Sequence, residues 1–209
     1  MTSFVDNDIL IKLAALDLFD DAFRVLGLKC SEIQVLPTAK YRLYVAKNQE
    51  KGIRRWGAEI HGRIVVLLSQ VGEAPESPDP DDEQVLTDII GVDPGEAILF
   101  SAASRLPDSW IVTGDKRSIA ALASEPKCKA VVQKLAGRVI CLEQVVRDTI
   151  DDLGFASVLP RLTTGVHQDR TLGFVFSSGI LTQEKDARDG LKSYIENLRK
   201  DSAGMLRQG

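Results

Sequence analysis

Apolar positions in the first part of the chain change their spacing several times, and each change predicts a new element. Thr2–Val5 is a short β-prone run, after which apolar residues recur at helical spacing from Ile9 to Leu18. Asp20–Leu26 is predicted to be a second amphipathic helix that ends at Gly27, and Glu32–Leu36 alternates as a strand. The predicted order is therefore strand, helix, helix, strand.

Helices and strands are predicted to continue in alternation up to residue 153. Two or three helices are expected over 38–74, whereas the proline-rich and acidic stretch Pro75–Asp82 is predicted to be an exposed loop. The later predictions are strands at Ser109–Thr113 and Arg138–Leu142, with helices at Asp82–Ile90, Asp93–Leu106, 116–123 and Glu143–Leu153. Such alternation is typical of a central parallel sheet with helices on both faces, which is a three-layer α/β/α architecture.

The C-terminal part of the chain departs from this alternation. Val158–Thr171 is predicted to be irregular, Leu172–Phe176 is a candidate strand, and Gln183–Lys200 is predicted to be a charged amphipathic helix. The expected organisation is an α/β domain over residues 1–153, followed by a C-terminal extension over residues 154–209.

Composition restricts the class of protein. A chain of 209 residues is long enough for one α/β core with an appendage. Its apolar runs are too short to cross a bilayer and its N-terminus lacks the pattern of a secretory signal, so no membrane association and a cytoplasmic location are expected. Cys30, Cys128 and Cys141 form no CxxC pair and are expected to be reduced structural thiols. A net charge of −4 excludes a generally basic nucleic-acid-binding surface.

Three carboxylates are predicted to meet at the carboxyl end of the sheet. Asp6 directly follows the first strand, and Asp115 follows the strand Ser109–Thr113 after one glycine. Glu96 lies in the first turn of the helix that leads into that strand. Loops converge at this edge of a parallel sheet, and converging carboxylates repel each other unless a cation lies between them. The pattern indicates a hard divalent metal, Mg²⁺ or Mn²⁺.

The segments around these acids resemble the motifs of the PIN-domain family over roughly residues 1–153. The matching segments are Phe4-Val5-Asp6-Asn7-Asp8-Ile9-Leu10, Asp93-Pro94-Gly95-Glu96-Ala97 and Ile111-Val112-Thr113-Gly114-Asp115-Lys116-Arg117. The resemblance implies a three-layer α/β/α fold and a metal-dependent endoribonuclease like the VapC-type toxins. It also implies that Asp6, Glu96 and Asp115 are metal ligands and that Thr113 supplies an orienting hydroxyl.

One part of the family pattern is missing. The family usually carries another acid in the helix after the second strand, and Pro37–Ala46 contains no carboxylate. Asp8, Asp93 or an acid of Asp81–Glu83 is the candidate substitute.

RNA is the expected substrate, and a cationic stretch is its predicted path. The cations that we assign to substrate binding are Arg54, Arg55, Lys116 and Arg117. The first two lie with Lys47, Lys51 and Arg63 in the densest basic stretch, around Trp56, whereas Lys116 and Arg117 are expected nearer the metal. The C-terminal helix is a candidate surface for a homodimer or for a protein inhibitor such as an antitoxin.

Other interpretations of the same residues stay open. Asp93 and Glu96 also form a good helix N-terminus with a capping box, Asp8 is a plausible helix cap, and the basic stretch suits a solvated helix face. His61 and His167 are expected to be ordinary polar positions.

Asp6-Asn7-Asp8 also resembles the motif of haloacid-dehalogenase-like phosphatases, with Asp6 as nucleophile, Asp8 as acid/base and Asp115 in the late metal motif. A PIN-like fold that binds but no longer catalyses is the third hypothesis.

Overall fold

The computed structural model describes residues 1–209 and is built on five parallel strands. The strands are β1 Thr2–Val5, β2 Ile33–Val35, β3 Gly72–Glu73, β4 Ser109–Thr113 and β5 Val139–Cys141, in the spatial order β3-β2-β1-β4-β5. The chain therefore leaves the central strand β1 towards one edge and later returns on its other side as β4. The crevice beyond the ends of β1 and β4 is the topological switch point, where ligands bind in open parallel sheets.

Thirteen α-helices flank the sheet, and the predicted three-layer α/β/α architecture is confirmed. Their bounds are α1 Asn7–Leu16, α2 Phe19–Val25, α3 Ala39–Arg42, α4 Gln49–Trp56, α5 Ala58–Gln70, α6 Pro80–Leu86, α7 Pro94–Arg105, α8 Lys116–Ser124, α9 Lys129–Lys134, α10 Leu142–Leu153, α11 Phe155–Gly165, α12 Arg170–Val175 and α13 Glu184–Asp201. None of these helices combines the length and the apolar character that a bilayer crossing requires. The three cysteines are free thiols.

Two hydrophobic cores lie on opposite faces of the sheet, because successive side chains of a strand point to opposite sides. Val5 and Val112 belong to one core, together with residues of α1, α2, α5 and α10. Phe4 and Ile111 belong to the other, together with residues of α7, α8 and α9. The paired register of β1 and β4, Phe4 with Ile111 and Val5 with Val112, puts each pair on one face.

The C-terminal segment completes both cores. The side chains that it buries on the first face are Val158, Leu159, Leu162, Leu172, Phe176, Ala187 and Leu191, and Ile195, Leu198, Met205 and Leu206 lie in the second. Leu206 also forms a parallel bridge with Val139, so the chain end lies beside β5. Residues 154–209 thus pack as part of the same body as residues 1–153.

Two secondary-structure predictions for this segment were wrong. Most of Val158–Thr171 is helical, since α11 runs from Phe155 to Gly165 even though Pro160 lies inside it. Burial of Val158 and Leu162 on one side of the helix outweighs the backbone hydrogen bond that proline removes. Leu172–Phe176 lies in and just after helix α12 rather than in a strand, because a short apolar run has no period that separates the two.

The prediction of an exposed loop over Pro75–Asp82 was wrong at its C-terminal end. Helix α6 begins at Pro80, and Asp82 is only 5% exposed. Its Oδ2 accepts hydrogen bonds from Ser101 Oγ at 2.8 Å and from Arg105 Nε at 3.1 Å, which compensate the buried charge. Strand β3 and helix α9 were not predicted at all.

Candidate metal centre

A cleft of about 1000 Å³ opens beyond the carboxyl ends of β1 and β4. Asp6, Asp93, Glu96 and Asp115 all line it. The three acids that the sequence suggested as ligands thus face one crevice at the switch point of the sheet. The cleft contains the cationic side chains Lys12, Arg42, Arg55, Lys116, Arg117 and Arg170 as well.

Asp6 is placed by the end of strand β1. Its backbone N–H donates to Val112 O at 3.0 Å, which continues the pairing with β4 and fixes the position of the residue. Burial, followed by the negative charges of Asp8 and Asp93, raises the pKa of the Asp6 carboxyl to about 7, although hydrogen bonds from the backbone of Asn7 and Asp8 act in the opposite direction. In this environment the charged carboxylate is unfavourable, and a bound proton or a bound cation stabilises it.

Glu96 is both a helix cap and a residue of the cleft. Its Oε2 accepts from the backbone N–H of Asp93 at 2.8 Å, and Asp93 Oδ1 accepts from the backbone N–H of Glu96 at 2.8 Å. The capping box that the sequence indicated is therefore present. Burial, together with the charges of Asp115 and Asp93, raises the pKa of Glu96 to about 7 against the hydrogen bond from the backbone of Asp93. The helix cap thus holds a nearly buried carboxyl beside two others.

Asp115 is the N-cap of α8. Its Oδ1 accepts from the backbone N–H groups of Arg117 at 2.8 Å and Ser118 at 3.3 Å, and its Oδ2 pairs with the Arg117 guanidinium at 3.1 Å. Burial raises the pKa of Asp115, but the hydrogen bonds from Arg117 and Ser118 outweigh it and lower the pKa below its ordinary value. Thr113 is buried and its hydroxyl accepts from the backbone N–H of Asp115 at 3.1 Å, so it shapes this turn and does not line the cleft.

Asp8 is engaged by a lysine that the sequence analysis did not single out. Lys12 is 8% exposed and forms ion pairs with Asp8 and, at 2.7 Å, with Asp169. Burial lowers the pKa of Lys12, but these two carboxylates outweigh burial and raise it above its ordinary value. The ammonium group is therefore charged at neutral pH and lies at the edge of the acidic centre.

The basic stretch is divided between several surfaces. Arg55 lines the cleft, and it also lines a neighbouring groove of about 810 Å³ together with Lys51 and Arg54. Arg63 lies elsewhere, paired with Asp17 at 3.0 Å and with Glu59. Of the four cations assigned to substrate binding, Arg55, Lys116 and Arg117 thus face the cleft, whereas Arg54 lies in the neighbouring groove.

Two side chains near this stretch are more buried than the sequence suggested. Trp56 is 7% exposed and packs in the first core. His61 is 3% exposed and stacks against Trp56, and its Nε2 has no hydrogen-bond partner, so the expectation of an ordinary polar position was wrong. His61 is missed because a single histidine within an apolar helical pattern shows no sign of its burial.

Several charged residues near the cleft were missed, and only some had a signal. Lys12 follows Asp8 by four residues, the spacing of a helical ion pair. Glu143 follows β5 after one intervening residue, as Asp115 follows β4, so the strand-end rule that selected Asp6 and Asp115 also applies to it. Asp169 lies in a segment without a recognisable pattern. Pro37–Ala46, which lacks the family's further acid, brings Arg42 to the cleft instead.

The carboxylate oxygens of the cleft are of the type that a hard divalent ion prefers. Most of them, however, already accept hydrogen bonds or form ion pairs within the protein. No group of three or more His, Cys, Asp or Glu side chains stands in an arrangement that could hold a metal ion. Asp115 is held by Arg117, Glu96 by the backbone of Asp93, and Asp8 by Lys12. The buried Asn7 Oδ1 has no partner, and the carboxyl groups with raised pKa offer further oxygen ligands.

No family model, no curated protein and no solved structure matches this chain. The functional argument therefore depends on the cleft and on the motif resemblance.

Proposed function

We propose that this protein is a Mg²⁺- or Mn²⁺-dependent endoribonuclease. The observation that carries the proposal is the set of carboxyl groups at the switch point of the sheet. Burial, together with repulsion from neighbouring carboxylates (Asp8 and Asp93 for Asp6, Asp115 and Asp93 for Glu96), raises the pKa of both Asp6 and Glu96 to about 7. A divalent cation removes this repulsion, and phosphodiester hydrolysis is the chemistry that such a cation promotes. The PIN-family resemblance of the three segments supports the same function.

In this proposal Asp6, Glu96 and Asp115 hold the metal, and the rest of the cleft orients the substrate. A metal held by these residues would supply a water molecule of lowered pKa and would offset charge on the phosphate in the transition state. Asp93 keeps Glu96 in place through the capping box, and Thr113 fixes the turn that carries Asp115. Arg55 and Arg117 offset the negative charge of the RNA backbone at the mouth of the cleft. Water is the nucleophile, and one carboxylate orients it by accepting its hydrogen bond.

The wider biological role is part of the same proposal. The family resemblance favours a cytoplasmic toxin of a toxin–antitoxin pair, restrained by a protein inhibitor and able to form a homodimer. A local cationic surface on an acidic protein suits brief contact with RNA rather than stable coating of it.

The phosphatase hypothesis uses less of the observed cleft. It requires Asp6 as nucleophile and Asp8 as acid/base, and both line the cleft. Asp8, however, is paired with Lys12, and the hypothesis leaves Glu96 and Asp93 without a role. The third hypothesis is a PIN-like binding module, in which the cleft binds metal or RNA but catalyses no reaction.

Purified protein and an Asp6→Asn variant, tested on single-stranded RNA and on p-nitrophenyl phosphate, distinguish these functions. We expect RNA cleavage with Mn²⁺ or Mg²⁺, none with chelator, and a loss of at least about a hundredfold in the variant, because removal of a ligand removes the charge stabilisation that the metal supplies. Asp88→Asn is the matched control, since Asp88 is exposed and outside the cleft. Turnover of p-nitrophenyl phosphate without RNA cleavage would establish the phosphatase instead, and metal binding without either turnover would leave a binding module.

A further inference from the structure

Two lysines of the cleft are held by the same short segment of the C-terminal region. Lys12 Nζ pairs with Asp169 at 2.7 Å, and Lys116 Nζ donates to Thr171 Oγ1 at 2.9 Å. Asp169 directly precedes α12 and Thr171 lies in its first turn, so one helix start fixes both ammonium groups. The lysines come from α1 and from the start of α8, which follow the two strands of the switch point.

Each lysine is restrained by further contacts. Lys116 forms an ion pair with Glu143 and lies over the Tyr194 ring, 5.0 Å from its centroid. Glu143 is 1% exposed and its Oε2 has no hydrogen-bond partner, so Lys116 supplies the charge that compensates this carboxylate. Lys12 lies against Gly114, where a Cβ atom would be 3.1 Å from its ammonium nitrogen. Neither side chain has the freedom that an exposed lysine has.

The charges of Lys12 and Glu143 are buried, and the ion pairs that these residues form offset the cost of removing them from water only in part. Replacement of a buried ion pair by apolar groups of similar size is often neutral or stabilising, so fold stability alone does not require these pairs. Both lysines line the cleft that holds Asp6 and Asp115. An ammonium group has three donors, and the two carboxylates that hold Lys12 use two of them. A lysine that is already ordered loses little conformational entropy when an anion binds.

We propose that Lys12 and Lys116 form a lysine pair that binds backbone phosphates of single-stranded RNA beside the acidic centre. Asp169, Thr171 and Glu143 are positioning residues, which aim the two ammonium groups into the cleft. The inference rests on the proposed function for the identity of the anion, and it assigns part of the substrate site to the C-terminal region.

Asp169→Asn and Lys12→Met, alone and together, separate a phosphate-binding role from a structural one. Asn keeps the cap hydrogen bond that Asp169 Oδ1 accepts from Leu172 N, and removes only the charge that faces Lys12. Lys12→Met leaves both Asp169 and Asp8 without their lysine. The double variant also removes the charge of Asp169, which is the more buried of the two carboxylates, and leaves only the half-exposed Asp8 without a partner. If Lys12 only neutralised Asp169, the double variant would regain both stability and RNA binding.

The measurement is fluorescence anisotropy of a short fluorescein-labelled single-stranded RNA, with Ca²⁺ in place of Mn²⁺ and the RNA checked for integrity on a gel. We expect the double variant to regain thermal stability but to bind RNA about tenfold more weakly than the wild type. Its plot of log affinity against log salt should be shallower by about 0.7, which corresponds to one lost phosphate contact on a single strand. Lys192→Met is the matched control, because Lys192 is 71% exposed and pairs only with Glu196 at 3.8 Å.

Two results would overturn the proposal: a double variant with wild-type affinity and salt dependence, or a wild-type protein that does not bind the RNA at all. RNA binding that depends on Lys12 without any Mn²⁺-dependent cleavage would support the lysine pair and contradict the nuclease. The two proposals can therefore fail separately.

Discussion

Asp6 is a residue of the candidate site whose charged form lowers the stability of the folded protein. A carboxylate that is largely buried and lies near Asp8 and Asp93 is held in its charged form only at a cost in free energy. Asp115 lies at the same edge of the sheet, yet its hydrogen bonds lower its pKa. The difference is local, because Asp115 caps a helix and pairs with Arg117, whereas Asp6 has no cationic partner.

Asp6→Asn is expected to stabilise the metal-free protein at alkaline pH. The pKa of Asp6 is about 7 in the folded protein against an ordinary value of 3.8, so the folded state binds a proton that the unfolded state has lost. The contribution of Asp6 to stability is therefore largest at low pH and is lost as pH rises through about 7. At about pH 8.5 the variant should be more stable by roughly 2 to 4 kcal/mol, and the difference should shrink towards pH 5.

Thermal denaturation of both proteins at the two pH values, with and without Mn²⁺, provides the measurement. Mn²⁺ should stabilise the wild type at alkaline pH and act more weakly on Asp6→Asn, because a ligand stabilises only the state that binds it. Asp88→Asn again serves as the control for charge alone, since Asp88 is exposed. Equal stability of Asp6→Asn and the wild type at both pH values would show that Asp6 is not destabilising.

The turn between β4 and α8 brings two parts of the site into contact. Thr113 and Asp115 are joined by Gly114, and a Cβ atom on Gly114 would lie 2.7 Å from Asp8 Oδ2 and 3.1 Å from Lys12 Nζ. The absence of a side chain therefore lets the first turn of α1 approach the turn that carries Asp115. This close approach, rather than an unusual backbone conformation, explains the glycine.

Gly114→Ala is expected to lower both stability and activity. The added methyl group must displace the Asp8–Lys12 pair, and because only the ends of these side chains have to shift, the cost should be near the low end of the range for overpacking, about 1 kcal/mol. Gly62→Ala is the matched control, because a Cβ atom there meets nothing within 4 Å and alanine favours a helix interior such as that of α5. Urea denaturation should show the loss in the first variant and no loss in the second. A neutral Gly114→Ala would show that the turn and α1 are not tightly coupled.

Elements with a regular pattern or a clear boundary signal were predictable, and those that depend on distant packing were not. Strands β1 and β4 follow from short β-prone runs that end at an acidic loop, and the cap of α7 follows from Asp93-Pro94-Gly95-Glu96, so the acids that these elements carry were found. Helix α11 contains Pro160, and β3 has only two residues, so neither has a reliable local pattern. Asp169 reaches the cleft only through the fold of the C-terminal region, which no spacing in the chain reveals.

The two cores connect the beginning and the end of the chain. Val5 and Leu10 share one core with Leu162 and Leu172, and Phe4 shares the other with residues of α13 and the chain end. The cleft likewise combines both parts of the chain, since Asp6, Lys12 and Asp169 all line it and Lys12 forms an ion pair with Asp169. The C-terminal region therefore contributes to the core and to the candidate site.

Residues 1–153 alone are expected not to fold stably. Without the C-terminal region the buried side chains of Val158, Leu162 and Leu172 no longer cover the first core, so the apolar residues of α1, α2 and α10 that belong to the same core become exposed to water, at about 25 cal/mol per Å². The full chain should unfold in a single transition, with coincident curves from far-ultraviolet circular dichroism and from the fluorescence of Trp56 and Trp110. The fragment should show neither a cooperative transition nor dispersed amide signals in NMR. A cooperatively folded fragment would mean that residues 154–209 are a separable extension, and RNA cleavage by it would place the whole active site in residues 1–153.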